Sequence, residues 1–159
     1  MNLFIFGNPM SGSFSGQQQI NHIVEVCTEK GIPFKLFQTQ KAGELPELMD
    51  KHLQQRNQHT IVVIVGGDGT LNEALQYLKQ QNIFVPLSYL PAGTGNDFSR
   101  EMNLTHHARK FIENLSKNHI IDLEFLTYSE ENSQTTGIIL NSMEFGIDAA
   151  ICEINQKQR

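Results

Sequence analysis

Hydrophobic residues along this chain fall into two alternating kinds of run. Short continuous runs at residues 2–6, 33–37, 61–65 and 85–90 read as strands buried on both faces of a parallel sheet, most clearly in Ile61-Val62-Val63-Ile64-Val65. Between them the apolar residues recur at helical spacing. Ile20, Ile23, Val24 and Cys27 mark a helix over 16–30, and Leu45, Leu48, Met49 and Leu53 one over 42–56. Leu71, Ala74, Leu75 and Leu78 mark a third, and Ala108, Phe111, Ile112 and Leu115 a fourth over 105–117. Gly31 suits a helix C-cap, and Pro46 suits a first helical turn. This alternation predicts an α/β fold with a parallel, doubly wound sheet and right-handed crossovers. After residue 119 the rhythm changes. Residues 120–128 and 136–143 read as strands joined by a hairpin turn at 129–134, so antiparallel pairs are expected to join the sheet. A turn at 145–148 and a short helical stub to Arg159 complete the expected elements.

The strand endings are polar and rich in glycine. Residues 61–65 break into Gly66-Gly67-Asp68-Gly69-Thr70, and Leu71-Asn72-Glu73 opens the next helix. Glycine here lets the backbone turn and lets a ligand lie against main-chain N–H groups. The helix start adds unsatisfied donors and the positive end of a dipole, which together suit phosphate. The first strand ends in Asn8-Pro9-Met10-Ser11-Gly12-Ser13, and the fourth in Pro91-Ala92-Gly93-Thr94-Gly95-Asn96-Asp97-Phe98. Loops that follow the strands of a parallel sheet share one edge, so these three are expected to converge on one cleft. None matches GxxxxGK[ST], and no GxGxxG follows the first strand, which argues against a P-loop or a Rossmann dinucleotide site. Asp68 and Asp97 place two carboxylates in that cleft. Beside a polyphosphate they call for a cation between the like charges, and Mg2+ is the natural one. Each Asp also suits a turn-forming cap, and Glu73 could serve the helix dipole or fix the loop.

Composition narrows the class. At 159 residues, 39% apolar and 18% charged, the chain suits one soluble domain with a sizeable core. A net charge of −5 and no Lys/Arg run argue against nucleic-acid binding. Cys27 and Cys152 read as reduced, buried thiols of a cytoplasmic protein. No apolar run approaches the ~20 residues that span a bilayer. The neighbours His106 and His107 read as solvated surface, because adjacent residues of a helix do not share a face.

The paired elements GGDGTLNE at 66–73 and PAGTGNDF at 91–98 resemble the signature motifs of the diacylglycerol kinase catalytic-domain family. Asn8-Pro9-Met10-Ser11-Gly12 resembles that family's first nucleotide loop, and Thr39 a threonine used near the nucleotide. Asp122-Leu123 and Leu140-Asn141-Ser142 fit the same order. The resemblance implies ATP-dependent phosphorylation of a lipid hydroxyl. It implies an N-terminal α/β domain that meets a C-terminal β-sandwich domain across the ATP cleft, with this chain as the N-terminal part. Residues 8–12, 66–72 and 93–97 would hold the nucleotide, Thr39 and Thr94 would donate hydroxyls, and Asp68 and Asp97 would organise Mg2+. The general base and further metal ligands would lie in the second domain.

Two features depart from that pattern. Ser13 stands where family members often carry a cation, a role Arg100 or Lys41 could fill. The chain also stops before the second domain, so weak nucleotide binding and little turnover are expected of it alone. A lipid acceptor implies peripheral membrane contact, at the inner face for a cytoplasmic protein, and an uncovered apolar face would favour association of copies. An NAD kinase shares the GGDGT turn but not the 93–98 element, and a catalytically silent nucleotide-binding module is the remaining alternative.

Overall fold

The computed structural model describes residues 1–117, 120–130 and 135–140. The chain divides into two units, Met1–Leu123 and Glu124–Arg159. In the first, β1 (Asn2–Gly7), β2 (Phe34–Gln38), β3 (Thr60–Gly66) and β4 (Leu87–Pro91) form a parallel sheet in the order β2-β1-β3-β4. Ile5 lies opposite Leu36 on one side and Val63 on the other, and Ile64 lies opposite Tyr89. Leu3 through Phe6 and Val62 through Val65 are fully buried, so the two central strands carry no polar alternation. Each such side chain contributes on the order of 1.5–3 kcal/mol through burial.

The described residues hold five helices: α1 (Ser11–Glu29), α2 (Leu45–Leu53), α3 (Asp68–Gln80), α4 (Asp97–Glu101) and α5 (Ala108–Leu115). Helices α1 and α5 pack together, and Ile20, Ile23, Cys27, Phe111 and Ile112 meet Leu3, Ile5, Val63, Val65 and Leu90 from the strands. Helices α2 and α3 pack together as a second pair. Since successive side chains leave a strand on opposite faces, Phe4, Phe6, Val62 and Ile64 serve that other layer. The doubly wound parallel architecture matches the sequence pattern.

Several boundaries moved. Helix α1 begins at Ser11 rather than residue 16, but Gly12, Ser13 and Phe14 have φ of 53°, 54° and 76°, so regular helix starts only after them. Helix α2 begins at Leu45 rather than 42, because Pro46 belongs to its first turn and Gly43 precedes it at φ 73°. Helix α3 begins three residues early, at Asp68, and α4 begins within the loop read at 91–98 and runs past it to Glu101. Helix α5 is shorter than expected, since residue 105 turns rather than winds: the His107 N–H donates to Thr105 Oγ1 at 3.2 Å.

The larger correction concerns residues 120–130 and 135–140. Residues 120–125 form no strand. β5 (Leu126–Glu130) and β6 (Thr135–Ile139) pair antiparallel as a sheet of their own and do not extend the parallel one. Ser129 and Glu130 are strand, not turn. Apolar content alone cannot make residues 120–125 a strand, because a strand also needs a ladder partner. Tyr128 lies opposite Gly137, where an added Cβ would come within 2.5 Å of the tyrosine ring, so the ring covers the bare backbone. The expectations for residues 131–134 and 141–159, Cys152 and the terminal stub among them, lie outside the described residues. Cys27 is buried, and burial pushes its thiol up to about 11, which leaves it a small inert hydrophobe.

The imidazole of His52 stacks on Phe37 with ring centroids 4.1 Å apart, and Phe37 in turn packs on Phe6 at 4.9 Å. His52 Nδ1 is buried without a partner. Burial, then the charges of Lys51 and Lys35, lower the His52 pKa from its usual 6.5. The unfolded chain therefore takes up this proton before the folded one does. Stability should fall as the pH drops below 6.5 and level off below the lowered folded value. Urea midpoints for the wild type and His52→Phe between pH 8 and 5 measure this. The variant should lose less on acidification, and equal losses would refute the role given to this ring.

Candidate functional site

All four strands end on one edge of the sheet. In spatial order the loops there hold Thr39 after β2, residues 8–13 after β1, residues 66–70 after β3 and residues 93–97 after β4. Chain order reverses between β1 and β3, the position where open α/β sheets form a ligand crevice. The loops are fastened to one another. The Asn8 N–H donates to the Val65 carbonyl at 2.8 Å, and Asn8 Nδ2 to Thr70 Oγ1 at 3.2 Å. The Ala92 N–H donates to the Gly66 carbonyl at 2.6 Å, and Ser15 Oγ to the Ala92 carbonyl at 2.7 Å. The Thr39 N–H donates to the Gly7 carbonyl at 3.0 Å. The three expected loops do share one rim.

The glycines act there by their lack of bulk. Gly66, Gly67, Gly69, Gly93 and Gly95 are absent from the residues with positive φ, so the sharp turn expected of GGDG is not what requires them. A Cβ on Gly93 would lie 2.6 Å from the Gly67 Cα, and one on Gly66 would lie 2.6 Å from the Thr70 side chain. Gly12 also closes on the third loop, where its Cβ would stand 2.6 Å from the Ala92 carbonyl oxygen, and its φ of 53° favours glycine independently. At Gly93 and Gly12 backbone meets backbone, and at Gly66 backbone meets the Thr70 side chain. Gly69 differs, since a Cβ there would enter open space. No side chain caps the start of α3, which leaves its first N–H groups without protein partners from a cap.

Asp68 ties two elements together. Its Oδ2 accepts the Asp97 N–H and its Oδ1 the Phe98 N–H, both at 3.1 Å, so a carboxylate from the first turn of α3 caps the start of α4. The residue in the usual capping position, Asn96, is occupied elsewhere. At φ 54° it turns its amide back on Gly93, accepting from the Gly93 N–H and donating to its carbonyl, each at 2.8 Å. The Tyr89 hydroxyl donates to the Gly66 carbonyl at 3.1 Å, and burial followed by the Asp68 charge raises its pKa. Asp97 pairs with the Arg100 guanidinium one helical turn on. A Cβ on Gly95 would lie 3.4 Å from Asp97 Oδ2 and 3.5 Å from Asp68 Oδ2, so both carboxylates reach the same spot.

Other expected residues are placed less directly. The Leu71 side chain belongs to the core at 1% exposure, which leaves only its backbone for a ligand. Thr39 and Ser11 are buried at the rim, and Ser11 Oγ and Asn72 Oδ1 are buried without partners. Pro9 is half-buried, while Met10 and Thr94 are exposed. Glu73 is partly buried, and that burial raises its carboxyl pKa. Ser13 and Lys41 are exposed. Ser15 and Tyr89 were not anticipated. For Tyr89 the only sequence signal is a hydroxyl within a largely apolar strand, where a partner is obligatory once buried, and Ser15, inside the polar run at 11–19, carries none.

Among the described residues no group of three or more His, Cys, Asp or Glu side chains is placed to hold a metal. Two convergent carboxylates still fit a magnesium ion completed by water and phosphate oxygens, since a carboxylate that accepts an N–H retains further lone pairs.

Comparison with known proteins fits this geometry. The family model for the diacylglycerol kinase catalytic domain matches residues 2–128. The chain therefore belongs to the diacylglycerol kinase catalytic domain family. It is similar to a diacylglycerol kinase of Staphylococcus carnosus, 26% identical over 76% of this chain and 39% of that one. It is also similar to a Bacillus subtilis protein named "Putative lipid kinase YtlR", 26% identical over 93% of this chain and 48% of that one. The chain thus spans less than half the length of either relative. A crystal structure of a diacylglycerol kinase from Bacillus anthracis superposes with a TM-score of 0.59 at 24% identity, over 74% of this chain and 42% of that one, and shows the shared fold.

Two substitutions test the clasp. Asp68→Ala leaves two N–H groups of α4 without an acceptor and should cost about 1 kcal/mol in urea unfolding, a typical capping loss. Gly93→Ala forces the Gly67 and Gly93 backbones apart and should cost more, roughly 1–3 kcal/mol, as overpacking does. A Gly93→Ala protein as stable as wild type would show that the two loops are not pressed together.

Proposed function

We propose that this chain binds ATP as the phosphoryl donor of a kinase whose acceptor is a lipid hydroxyl. The observation that carries the reading is the rim itself, where three interlocked loops surround the uncapped start of α3 and two carboxylates converge beside Gly95. The bare backbone at Gly69 gives a phosphate access to the first N–H groups of α3, where dipole and donors act together. Asn8, Thr70 and the backbone of residues 11–12 supply the wall from the β1 side, and Gly93, Gly95 and Asn96 the wall from β4. Thr39 and Thr94 are the proposed hydroxyl donors. Asp68 and Asp97 would hold Mg2+, which supplies neutralisation of the phosphate charge when bound.

The loops contribute positioning: they orient the triphosphate and fix Asp68 through its two N–H bonds. In this reading the base that takes the lipid hydroxyl's proton would lie in a β-rich second domain, as the resemblance of the motifs implies. No helix among the described residues is long and apolar enough to cross a membrane.

Calorimetric titration with ATP and Mg2+ tests the donor site. Asp68→Asn keeps one acceptor oxygen for the α4 cap and removes the charge, so affinity should fall roughly tenfold with little loss of stability, as for a charge-assisted contact. The absence of Mg–ATP binding by the folded wild-type chain would refute the reading. Phosphate transfer by a full-length protein that includes the expected second domain, assayed with diacylglycerol and with NAD as acceptors, separates the lipid-kinase reading from the NAD-kinase one, and label should appear in lipid alone.

A further inference from the structure

On the far side of α4, between that helix and α5, lies an open hollow of about 590 Å³. Gly95 and Asn96 line it at the rim end, but it includes neither Asn8 nor Asp68, nor any residue of α3. Its lining carries Arg100, His106, His107 and Lys110 together with the amides of Asn103 and Asn114, and not one Asp or Glu. In a chain of net charge −5, a hollow without acidic residues is a local reversal of sign.

Nearby cations are distributed unequally. Arg109 is paired with Glu29, and Lys30 with Glu113, on the side where α5 packs against α1. Among the described residues Lys110 has no carboxylate within ion-pair distance. Arg100 gives one edge of its guanidinium to Asp97 and is exposed. A guanidinium carries five donors, so others stay available.

The segment that shapes the hollow is held in place. The Leu104 N–H donates to the Ser99 carbonyl at 2.8 Å, and Gln19 Nε2 to the His106 carbonyl at 2.8 Å. The His106 and His107 rings stand 4.1 Å apart at the start of α5, where no side chain caps the helix. Fixed donors, an unpaired lysine, a guanidinium with donors to spare and a helix start thus meet in one concave space, a combination that attracts phosphate. The volume is large enough for a phosphorylated headgroup, beyond a bare ion.

We propose that this hollow binds a phosphate-bearing group at a second site, which meets the nucleotide rim only at Gly95 and Asn96. The group is either a free phosphate compound or the headgroup of an anionic lipid. Lys110 and Arg100 supply the charge, the α5 start supplies N–H donors, and His106, His107 and Asn114 supply polar contacts. The site does not depend on the kinase reading.

Two probes distinguish the sources. Inorganic phosphate is titrated into the full chain while amide NMR shifts are followed, and co-sedimentation is measured with phosphatidylcholine vesicles with and without phosphatidylglycerol. Phosphate should shift residues 106–110, and phosphatidylglycerol should raise vesicle binding if the source is a lipid. Lys110→Glu, an exposed change, should weaken whichever interaction occurs by roughly fivefold, a loss typical of reversing one surface charge near an anion. Neither probe binding, or binding untouched by Lys110→Glu, overturns the proposal. Mg–ATP affinity should be unchanged in Lys110→Glu, and an equal loss there would merge the hollow with the nucleotide rim and overturn the separate site. If wild type binds phosphate or vesicles but not ATP, the nucleotide reading falls and this one stands.

Discussion

The contact on which the rest of this structure depends is the approach of the Gly67 and Gly93 backbones. The loops after β3 and β4 leave neighbouring strands, so their start points are about 4.8 Å apart by sheet geometry alone. Bringing the main chains together from there leaves no room for a Cβ on Gly93. Asn96 turns back to hold both polar groups of Gly93, and this removes it from the cap of α4. Asp68 takes that cap from across the rim. One steric constraint therefore determines the conformation of Asn96, the role of Asp68 and the placing of Asp97.

This chain of dependence gives the carboxylates two duties that do not conflict. Asp68 organises the protein through N–H bonds and still presents charge beside Gly95. The sequence offered a local turn-forming cap or a cation holder for Asp68; the structure shows it capping α4 from a distance, and that geometry is compatible with holding a cation. Asp97 is similarly shared between Arg100 and the space by Gly95. Charge in the rim is thus balanced by fixed donors and one guanidinium.

The sheet and its helices were legible because burial on both faces leaves a plain mark. Residues 61–65 and 3–6 are apolar without alternation, and only a central parallel strand asks for that. The element ends were less legible. Helix α3 starts at Asp68 because Gly67 supplies an extended cap, and helix α4 exists because a carboxylate 29 residues earlier in the chain caps it. No local pattern encodes such a partner. Residues 120–125 failed for a related reason, since their apolar character has no ladder to join.

From its residues alone this protein's sequence determined the order of elements, the shared edge of the three polar loops and the family to which their motifs point. Those follow from periodicity, from the chirality of crossovers and from residue types at fixed spacing, all of which are local properties. Tertiary structure alone decided that the glycines serve closeness rather than turning, that Ser15 and Tyr89 brace the rim, and that an acid-free hollow lies between α4 and α5. Each of these is a relation between segments distant in the chain, and such relations exist only once packing has brought the segments together.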